Sequence, residues 1–263
     1  MSELRQNVLE LFDLRGRVVI VTGGAVGIGR IYSESLIAAG ASVVIADIAA
    51  EAGEKLAARL QGQGGEVLAV RTDISDEKAV TRLAEATVAR FGRIDALINN
   101  ASTMSSLPRR CWLEIPVAEW DRVMAVDLRG LFLCCRAVVP QMQRHGKGKI
   151  VNITSTRVFE GTPNRLHYTT AKSGVIGFTR ALARELGPDN IAVNVVAPGR
   201  TLSETQVATT DKNYLADDYD RQRAFARPQI PEDLVGAVMF LLTNASGFIT
   251  GQTLIVDGGK VMH

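Results

Sequence analysis

The chain has 263 residues, enough for one large α/β domain, or at most two small ones, with a sizeable core. Hydrophobic residues make up 46% and charged residues 22%, and this composition excludes an intrinsically disordered chain. The formal net charge is +2, so no charge excess points to a nucleic-acid partner, and no apolar run reaches the roughly 18 residues of a membrane span.

The N-terminus and the cysteines favour an intracellular protein. Residues 1–5 carry charges but no apolar stretch follows them, which argues against a secretory signal. The three cysteines, Cys111, Cys134 and Cys135, lack the spacing of metal ligands. We therefore expect a cytoplasmic location, no membrane association and no metal site.

Short β-branched segments alternate with longer helical patterns along the whole chain. The predicted strands are 17–22, 42–47, 67–72, 96–99, 149–154, 192–196 and 253–256. The predicted helices are 28–39, 50–61, 76–91, 117–144, 167–186 and 232–242. Several strands are continuously apolar, which is typical of strands buried on both faces. The alternation predicts an α/β fold over residues 1–263, with a doubly wound, mostly parallel seven-stranded sheet and helices on both faces.

A glycine-rich turn follows the first predicted strand. It reads TGGAVGIG over residues 22–29 and leads directly into the first predicted helix. Glycines permit a tight turn close to a pyrophosphate, and a helix N-terminus offers free N–H groups to the anion. The position between a strand and a helix predicts a dinucleotide phosphate site, and a flexible turn is the alternative.

An acidic residue ends the second predicted strand. Asp47 lies twenty residues after Gly27, where a carboxylate would accept hydrogen bonds from the adenosine ribose and repel a 2′-phosphate. The next residue, Ile48, adds no cation. These features predict NAD rather than NADP, with a helix N-cap as the other possible role of Asp47.

The predicted helix 117–144 carries one acidic residue on its apolar stripe. Asp127 stands at steps of three and four residues from Met124 and Leu131. A carboxylate on a buried face is costly unless it is paired or hydrogen-bonded. We expect Lys172 to be its electrostatic partner, directly or through water.

A tyrosine and a lysine stand four residues apart on the predicted helix 167–186. This spacing places Tyr168 and Lys172 on one side of the helix. Ser155 follows the preceding strand directly. These side chains, the glycine-rich turn and Asp47 all fall near the carboxyl ends of predicted strands, where a doubly wound sheet binds its ligands.

Residues 200–228 interrupt the alternation of strands and helices. The segment has no clear period and carries Asp211, Asp217, Asp218 and Asp220. A stretch of this length inside a compact domain is typical of a functional lid. We expect a substrate lid, and a disordered surface insertion is the alternative.

Together these motifs resemble the short-chain dehydrogenase/reductase family over essentially the whole chain. The resembling stretches are TGGAVGIG at 22–29, NNA at 99–101, VNITS at 151–155, YTTAK at 168–172, VN at 193–194, PG at 198–199, GQ at 251–252 and VDGG at 256–259. The resemblance implies a single-domain Rossmann fold, a homotetramer and hydride transfer between a nicotinamide and a secondary alcohol or ketone.

The resemblance also implies roles for individual residues. Tyr168 is expected to act as the acid/base, Lys172 to lower its pKa from the free value of about 10, and Ser155 to bind the substrate oxygen. The expected cofactor-binding residues are Gly23, Gly27, Ile28, Gly29, Asp47, Asp73, Ile74, Asn100, Tyr168, Lys172, Pro198, Gly199 and Thr201.

Two positions depart from the pattern of the family. Ser102 replaces the usual glycine after Asn-Asn-Ala, and its side chain either enters the substrate side of the cleft or is a harmless small residue. Asp127 replaces an asparagine that helps to hold a water for proton relay. We expect Asp127 to be a catalytic residue that keeps the relay and strengthens the charge network; an impaired site is the alternative.

The expected substrate side is largely apolar. Ser102, Arg157 and Phe159 are the main candidates to contact the substrate. They belong to a wider set that also contains Met104, Leu107, Trp112, Val158, Pro163, Arg200 and the loop from there to Arg227. This set predicts a hydrophobic or aromatic alcohol, although Trp112 and Phe159 fit ordinary packing equally well. The C-terminal segment similarly resembles relatives that oxidise aromatic secondary alcohols such as 1-phenylethanol.

Two other functions fit parts of the sequence. A 3-oxoacyl-thioester reductase acting on carrier-protein or coenzyme A esters is one, and a basic patch at Arg129 and Arg136 near the cleft would favour it. Asp47 argues against it, because that reaction usually uses NADPH. A non-catalytic NAD-sensing protein is the other, but such relatives typically lack the tyrosine or the lysine.

Overall fold

The computed structural model describes residues 8–209 and 219–262. Its strands form one sheet in the order β3-β2-β1-β4-β5-β6-β7, and every neighbouring pair is parallel. The strands are β1 (Val18–Thr22), β2 (Ser42–Asp47), β3 (Val67–Arg71), β4 (Ala96–Asn99), β5 (Gly148–Ile153), β6 (Ile191–Pro198) and β7 (Thr253–Val256). The predicted seven-stranded, doubly wound sheet is confirmed.

Helices connect the strands and cover both faces of the sheet. They are α1 (Gly27–Ala38), α2 (Ala50–Gly62), α3 (Glu77–Phe91), α4 (Val117–Met124), α5 (Leu131–Arg144), α6 (Arg157–Glu160), α7 (Leu166–Leu186), α8 (Glu204–Thr209) and α9 (Glu232–Leu242). Helix α3 begins one residue later than predicted, because Asp76 is its N-cap and accepts a hydrogen bond from the Lys78 N–H. The short helices α6 and α8 have too few residues to show a period in the sequence.

Side chains alternate between the two faces along each strand. Val19 and Val21 pack in the core beneath α1, α2 and α9, whereas Ile20 packs in the core beneath α3, α5 and α7. All five residues of β1 and all eight of β6 are buried. Burial on both faces explains why these strands are continuously apolar in the sequence.

The predicted helix 117–144 is not continuous. A π-helical turn, Ala125–Gly130, lies between α4 and α5. This wider turn carries Asp127, whose carboxylate accepts hydrogen bonds from the Thr103 N–H and hydroxyl. A π-helical turn inside a helix frequently marks a functional site.

The topology brings the polar loops together at one edge. The strand order reverses between β1 and β4, so the loops after these strands diverge and leave a crevice at their carboxyl ends. The glycine-rich turn follows β1, Asn100 follows β4, and Ser155 follows β5. The candidate site lies at this crevice.

Candidate active site

A cavity of about 290 Å³ opens at the carboxyl edge of the sheet. Many residues predicted from the sequence contribute to its wall. They are Ile28, Asn100, Ser102, Ser155, Arg157, Tyr168, Lys172, Pro198, Gly199 and Thr201. The other predicted residues do not line it: Gly23, Gly27, Gly29, Asp47, Asp73, Ile74, Asp127 and Phe159.

Tyr168 and Lys172 lie on α7 and are both buried. The Lys172 Nζ is 5.7 Å from the centre of the Tyr168 ring and donates a hydrogen bond to the Ile153 carbonyl at 3.0 Å. Burial raises the pKa of Tyr168, and the Lys172 charge together with the Ser155 hydrogen bond opposes this rise. Lys172 therefore acts in the predicted direction, but burial outweighs it in the net pKa.

Asp127 is a buried carboxylate with a complete set of partners. Its Oδ1 lies 3.2 Å from the Lys172 Nζ and accepts a hydrogen bond from the Ser102 hydroxyl at 2.5 Å. Its Oδ2 accepts from the Thr103 N–H at 3.0 Å and from the Thr103 hydroxyl at 2.6 Å. The two departures from the family pattern, Ser102 and Asp127, are thus hydrogen-bonded to each other.

The glycine-rich turn has a backbone conformation in which side chains at Gly23, Gly27 and Gly29 would be strained or would clash. Gly23 and Gly27 have φ of 62° and 56°, in the left-handed region. A Cβ on Gly29 would lie 1.9 Å from the Gly23 carbonyl oxygen. The Asn100 side chain donates to the carbonyls of Thr22 and Gly23, both at 3.1 Å, and so fixes the turn to the end of β4.

Asp47 is buried at the end of β2. Its carboxylate accepts hydrogen bonds from the Ala25 N–H and the Ala49 N–H, both at 3.0 Å. It is not the N-cap of α2, since that position is Ala49. Asp47 therefore joins the glycine-rich turn to the loop before α2, and the N-cap alternative is wrong.

Asp73 and Ile74 lie in the loop after β3. The Asp73 carboxylate accepts from the N–H and hydroxyl of Ser75 at 2.9 and 2.7 Å. The Ile74 side chain is buried and packs closely on Gly130 in the π-helical turn. These contacts shape the loop and connect it to the helix that carries Asp127.

Polar and charged residues outnumber apolar ones in the cavity wall, although apolar atoms contribute more of its surface. Met104 lines the cavity, but the other apolar candidates, Leu107, Trp112, Val158, Phe159 and Pro163, do not. The position of Phe159 differs from the expectation because α6 carries Arg157 and Glu160, rather than Phe159, onto the cavity wall. Trp112 is 64% exposed.

Arg157 lines the cavity but also has a local structural role. It is 8% exposed, and its guanidinium donates hydrogen bonds to the carbonyls of Thr162 and Pro163 at 2.9 and 2.7 Å. These bonds hold the loop between α6 and α7 in place.

Sequence reasoning missed an ion pair on the cavity wall. The Glu160 carboxylate accepts hydrogen bonds from the Lys260 ammonium at 2.6 Å, the Tyr219 hydroxyl at 3.2 Å and the Thr156 hydroxyl at 2.8 Å. These contacts lower the pKa of Glu160 against the opposing effect of burial. Lys260 and Glu160 are 100 residues apart, so no local pattern could have revealed the pair.

Sequence reasoning also missed a carboxylate at the glycine-rich turn. Glu204 begins α8, and its Oε1 accepts the Gly27 N–H at 3.1 Å. Its carboxylate also pairs with the Arg30 guanidinium at 3.1 Å. Together with Arg30, the Gly27 bond lowers the pKa of Glu204. A carboxylate therefore lies at the N-terminus of α1, where a phosphate would be expected.

The segment 200–228 is only partly described. Asp211, Asp217 and Asp218 lie outside the described residues, as do residues 1–7. At the described end of the segment, Asp220 pairs with Arg200 at 3.4 Å and with Arg223 at 2.9 Å. The segment is not without structure, since α8 lies within it.

The described residues contain neither a candidate metal site nor a candidate membrane span. Across 8–209 and 219–262, no group of three His, Cys, Asp or Glu side chains could hold a metal ion. None of the helices in those ranges combines the length and apolar character required to cross a membrane.

Comparisons with known proteins agree with this geometry. A family model described as enoyl-(acyl carrier protein) reductase matches residues 23–260. A protein of Rhizobium meliloti assigned as a galactose dehydrogenase is 39% identical, covering 94% of this chain and 96% of that protein. A 3-oxoacyl-[acyl-carrier-protein] reductase of Synechocystis is 37% identical, covering 95% and 98%.

Solved structures match over nearly their full length. A short-chain type dehydrogenase/reductase of Mycobacterium marinum has a TM-score of 0.88 at 30% identity and covers 97% of this chain and 100% of its own. A protein of Beutenbergia cavernae, assigned as an NAD(P)-dependent gluconate 5-dehydrogenase and solved with NADP, has a TM-score of 0.88 at 33% identity, covering 95% and 98%.

Proposed function

Because the chain belongs to the short-chain dehydrogenase/reductase family, we propose that it transfers a hydride between NAD and a secondary alcohol or its ketone. Family membership makes it an oxidoreductase of alcohol or ketone groups with a nicotinamide cofactor. The observation that carries the proposal is that Ser155, Tyr168 and Lys172 line one cavity, with Lys172 ion-paired to the buried Asp127.

The proposed reaction assigns one task to each side chain. The nicotinamide supplies the hydride donor or acceptor when it is bound. Tyr168 takes the alcohol proton during oxidation and returns a proton to the carbonyl oxygen during reduction. The Ser155 hydroxyl donates a hydrogen bond to that same oxygen. Lys172 stabilises the phenolate of Tyr168 electrostatically, in opposition to the effect of burial.

The glycine-rich turn and the nearby loops fit the cofactor. The missing side chain at Gly29 allows the close backbone packing that the turn requires, and a helix N-terminus such as that of α1 offers N–H groups to a phosphate. Gly23, Gly27, Ile28 and Gly29 would hold the pyrophosphate. The loops after β3, β4 and β6 would hold the remainder through Asp73, Ile74, Asn100, Pro198, Gly199 and Thr201.

Asp47 supports NAD as the cofactor. Each of its oxygens accepts one backbone N–H, and an ionised carboxylate has about four acceptor positions, so capacity remains for ribose hydroxyls. A 2′-phosphate would meet a buried negative charge here, next to the uncharged Ile48. The bound NADP belongs to the relative from Beutenbergia cavernae, whereas the residues of this chain favour NAD.

The cavity wall favours a polar substrate over the aromatic alcohol expected from the sequence. Thr156, Arg157, Glu160, Tyr219 and Lys260 all line the cavity. Buried polar groups of this kind fix the orientation of a polar ligand and would be poorly matched by an aromatic ring. The relatives assigned as galactose and gluconate dehydrogenases act on polyhydroxylated compounds, in line with this wall.

A second candidate function is reduction of a 3-oxoacyl thioester. The Synechocystis relative and the description of the family model support it. The basic residues expected to receive a carrier protein are engaged elsewhere. Arg136 pairs with Glu77, the first residue of α3. Arg129 donates a hydrogen bond to the Ser75 carbonyl in the loop before α3. These contacts give no support to a carrier-protein site at Arg129 and Arg136, so the thioester reductase is supported by the relatives alone.

Exposed apolar residues support a homotetramer. Phe132 on α5 is 43% exposed and packs edge-to-face with Phe178 on α7. Phe248 is fully exposed just before β7, and Leu254 on β7 is 39% exposed. Contacts between subunits would cover these apolar side chains if one subunit interface were formed by α5 and α7 and a second by β7. A cytoplasmic location stays a prediction.

Initial rates of cofactor reduction test the proposal. We expect NAD⁺ to be reduced in the presence of secondary alcohols, with a kcat/KM at least about tenfold above that for NADP⁺, because Asp47 would repel the 2′-phosphate. The panel contains aliphatic, aromatic, polyhydroxylated and 3-hydroxyacyl thioester alcohols. Turnover restricted to the thioester would favour the second candidate, and equal rates with NADP⁺ would show that Asp47 does not select the cofactor.

The pH dependence of the rate tests the role of Asp127. The negative charge of Asp127 raises the pKa of Tyr168, so Asp127→Asn is expected to lower that pKa. Alcohol oxidation requires the phenolate, so its rate rises with pH through this pKa. The rising limb of kcat/KM should therefore move to lower pH, by up to about one unit. An unmoved limb would exclude coupling between Asp127 and Tyr168.

Cofactor affinity tests the carboxylate at the glycine-rich turn. We propose that the segment 200–228 is a lid and that Glu204 must leave the Gly27 N–H before a pyrophosphate can bind. Glu204→Ala is then expected to tighten NAD⁺ binding up to about fivefold, the size of an exposed ion pair. Calorimetric titration measures this effect directly.

The control for Glu204→Ala is a substitution of Glu34, which also pairs with Arg30. Glu34→Ala also removes an Arg30 partner, but Glu34 has no bond to Gly27. We expect this control to change the Kd less than Glu204→Ala. Equal effects of the two variants would attribute the change to Arg30 rather than to a carboxylate that occupies the turn.

A further inference from the structure

The Glu160–Lys260 ion pair lies on the wall of the same cavity as Ser155 and Tyr168. Its side chains are 13% and 14% exposed, so the pair is largely buried while contributing to the cavity surface. Glu160 ends the short helix α6, which starts two residues after Ser155. The catalytic serine and this ion pair are therefore held by one short, continuous piece of backbone.

The pair retains hydrogen-bonding capacity. An ammonium has three N–H donors. Among the described residues, the Lys260 Nζ donates one hydrogen bond, to Glu160, and lies 3.7 Å from the centre of the Tyr219 ring. At least one donor is thus left for a ligand in the cavity. The Glu160 carboxylate, with about four acceptor positions, accepts from Thr156, Tyr219 and Lys260 and, at a long 3.4 Å, from the Thr162 hydroxyl, which also lines the cavity. A ligand hydroxyl at a shorter distance would take the position of the Thr162 contact.

The charges of the pair select the kind of ligand. Lys260 and Glu160 together are neutral, and their charged atoms are 2.6 Å apart. An anionic substrate group that approached Lys260 would also meet the negative charge of Glu160. A hydroxyl group both donates and accepts hydrogen bonds, so it can use the ammonium and the carboxylate together. Neighbouring hydroxyls on adjacent carbons match the two groups best.

We propose that the Glu160–Lys260 pair is a recognition site for the non-reacting hydroxyls of an uncharged polyol or sugar. The proposal rests on the proposed function, because it assigns the reacting hydroxyl to Ser155 and Tyr168. Tyr219 keeps Lys260 and Glu160 in position, since its ring lies under the ammonium and its hydroxyl donates to the carboxylate. The pair would thus hold the non-reacting hydroxyls while Ser155 and Tyr168 hold the reacting one.

A purely structural role for the pair makes a different prediction. Breaking a buried ion pair that only held the C-terminal segment and α6 together would disturb the cavity for every alcohol alike. A recognition site affects only those alcohols that carry extra hydroxyls. The ratio of kcat/KM between a polyol and a matched simple alcohol separates the two roles.

The experiment compares threitol and erythritol with 2-butanol, which has four carbons but only the reacting hydroxyl. Lys260→Met is expected to lower the polyol/2-butanol ratio of kcat/KM about 10- to 150-fold, the effect of losing a hydrogen bond to a charged group. Glu160→Gln, which keeps the size of the side chain, is expected to lower the same ratio. Lys55→Met removes an exposed pair with Glu51 on α2 and should leave the ratio unchanged.

The outcomes distinguish the inference from the proposed function. Equal losses on polyols and 2-butanol in both variants, or an unchanged ratio, would overturn the recognition site. Oxidation of 2-butanol without any oxidation of polyols by the wild type would overturn it as well, and the dehydrogenase activity would stand. An absence of activity with every alcohol and ketone, with either cofactor, would refute the proposed function itself.

Discussion

Replacing Tyr168 by phenylalanine is expected to lower kcat about 10²- to 10⁴-fold, the usual contribution of a positioned acid/base. Only the phenolic oxygen is lost, and the ring keeps its packing against Ala171 and Val123 in a small buried cluster. The fold and the affinity for NAD⁺ should therefore change little. Steady-state rates, together with a calorimetric titration of NAD⁺, measure both quantities.

The control for this prediction is another buried tyrosine. Tyr32 lies on α1 and is 2% exposed, and its buried hydroxyl has no hydrogen-bond partner among the described residues. Tyr32→Phe should leave kcat within about twofold of the wild type, because no hydrogen bond is lost. A comparable loss of kcat in the two variants would show that the effect at Tyr168 does not come from the loss of an acid/base group.

Replacing Asp127 by leucine is expected to destabilise the folded protein by about 3–5 kcal/mol. The change leaves the buried Lys172 ammonium without its ion-pair partner and leaves the Thr103 N–H and hydroxyl without their acceptor. Denaturant unfolding at neutral pH measures the loss. The free energy of unfolding should fall less for Asp127→Asn, which also removes the ion pair with Lys172 but keeps an amide oxygen that can accept the Thr103 hydrogen bonds.

An exposed ion pair on α2 is the control for the destabilisation expected of Asp127→Leu. Glu51 pairs with Lys55 on α2, and both side chains are at least 75% exposed. Glu51→Leu should change the free energy of unfolding by no more than about 1 kcal/mol. If Asp127→Leu were equally mild, the Asp127–Lys172 pair would not be the buried, structurally required contact described above.

Local patterns were sufficient to predict most of the fold. The continuous apolar runs of β1 and β6 arise because both faces of these strands are buried, and that burial is visible in the sequence. The helix ends are also local features, as at Asp76 and at Gly92, whose φ of 74° ends α3. The π-helical turn at 125–130 was not predictable, because the bonds of Asp127 to Ser102 and Thr103 are long-range contacts.

The candidate site was predicted best where a residue belongs to a motif. The prediction of Lys172 as the partner of Asp127 followed from one acidic residue on an apolar stripe, and the structure brings the two within 3.2 Å. Glu160, Lys260 and Glu204 belong to no motif, and their contacts join segments far apart in the chain. The prediction of an aromatic substrate was based on apolar residues close to Ser155 in the sequence, such as Val158 and Phe159. In the structure, α6 places its polar residues Arg157 and Glu160 on the cavity wall instead.

Transfer of an isotopic label tests the central claim most directly. Secondary alcohols deuterated at the carbinol carbon, namely threitol, 2-butanol and 1-phenylethanol, are incubated with NAD⁺ and the enzyme, and the cofactor is analysed by mass spectrometry. We predict that the reduced cofactor carries one deuterium from the alcohol and that Tyr168→Phe nearly abolishes its formation. Reduced cofactor without the label, or labelled cofactor formed equally well by Tyr168→Phe, would contradict direct hydride transfer at this site.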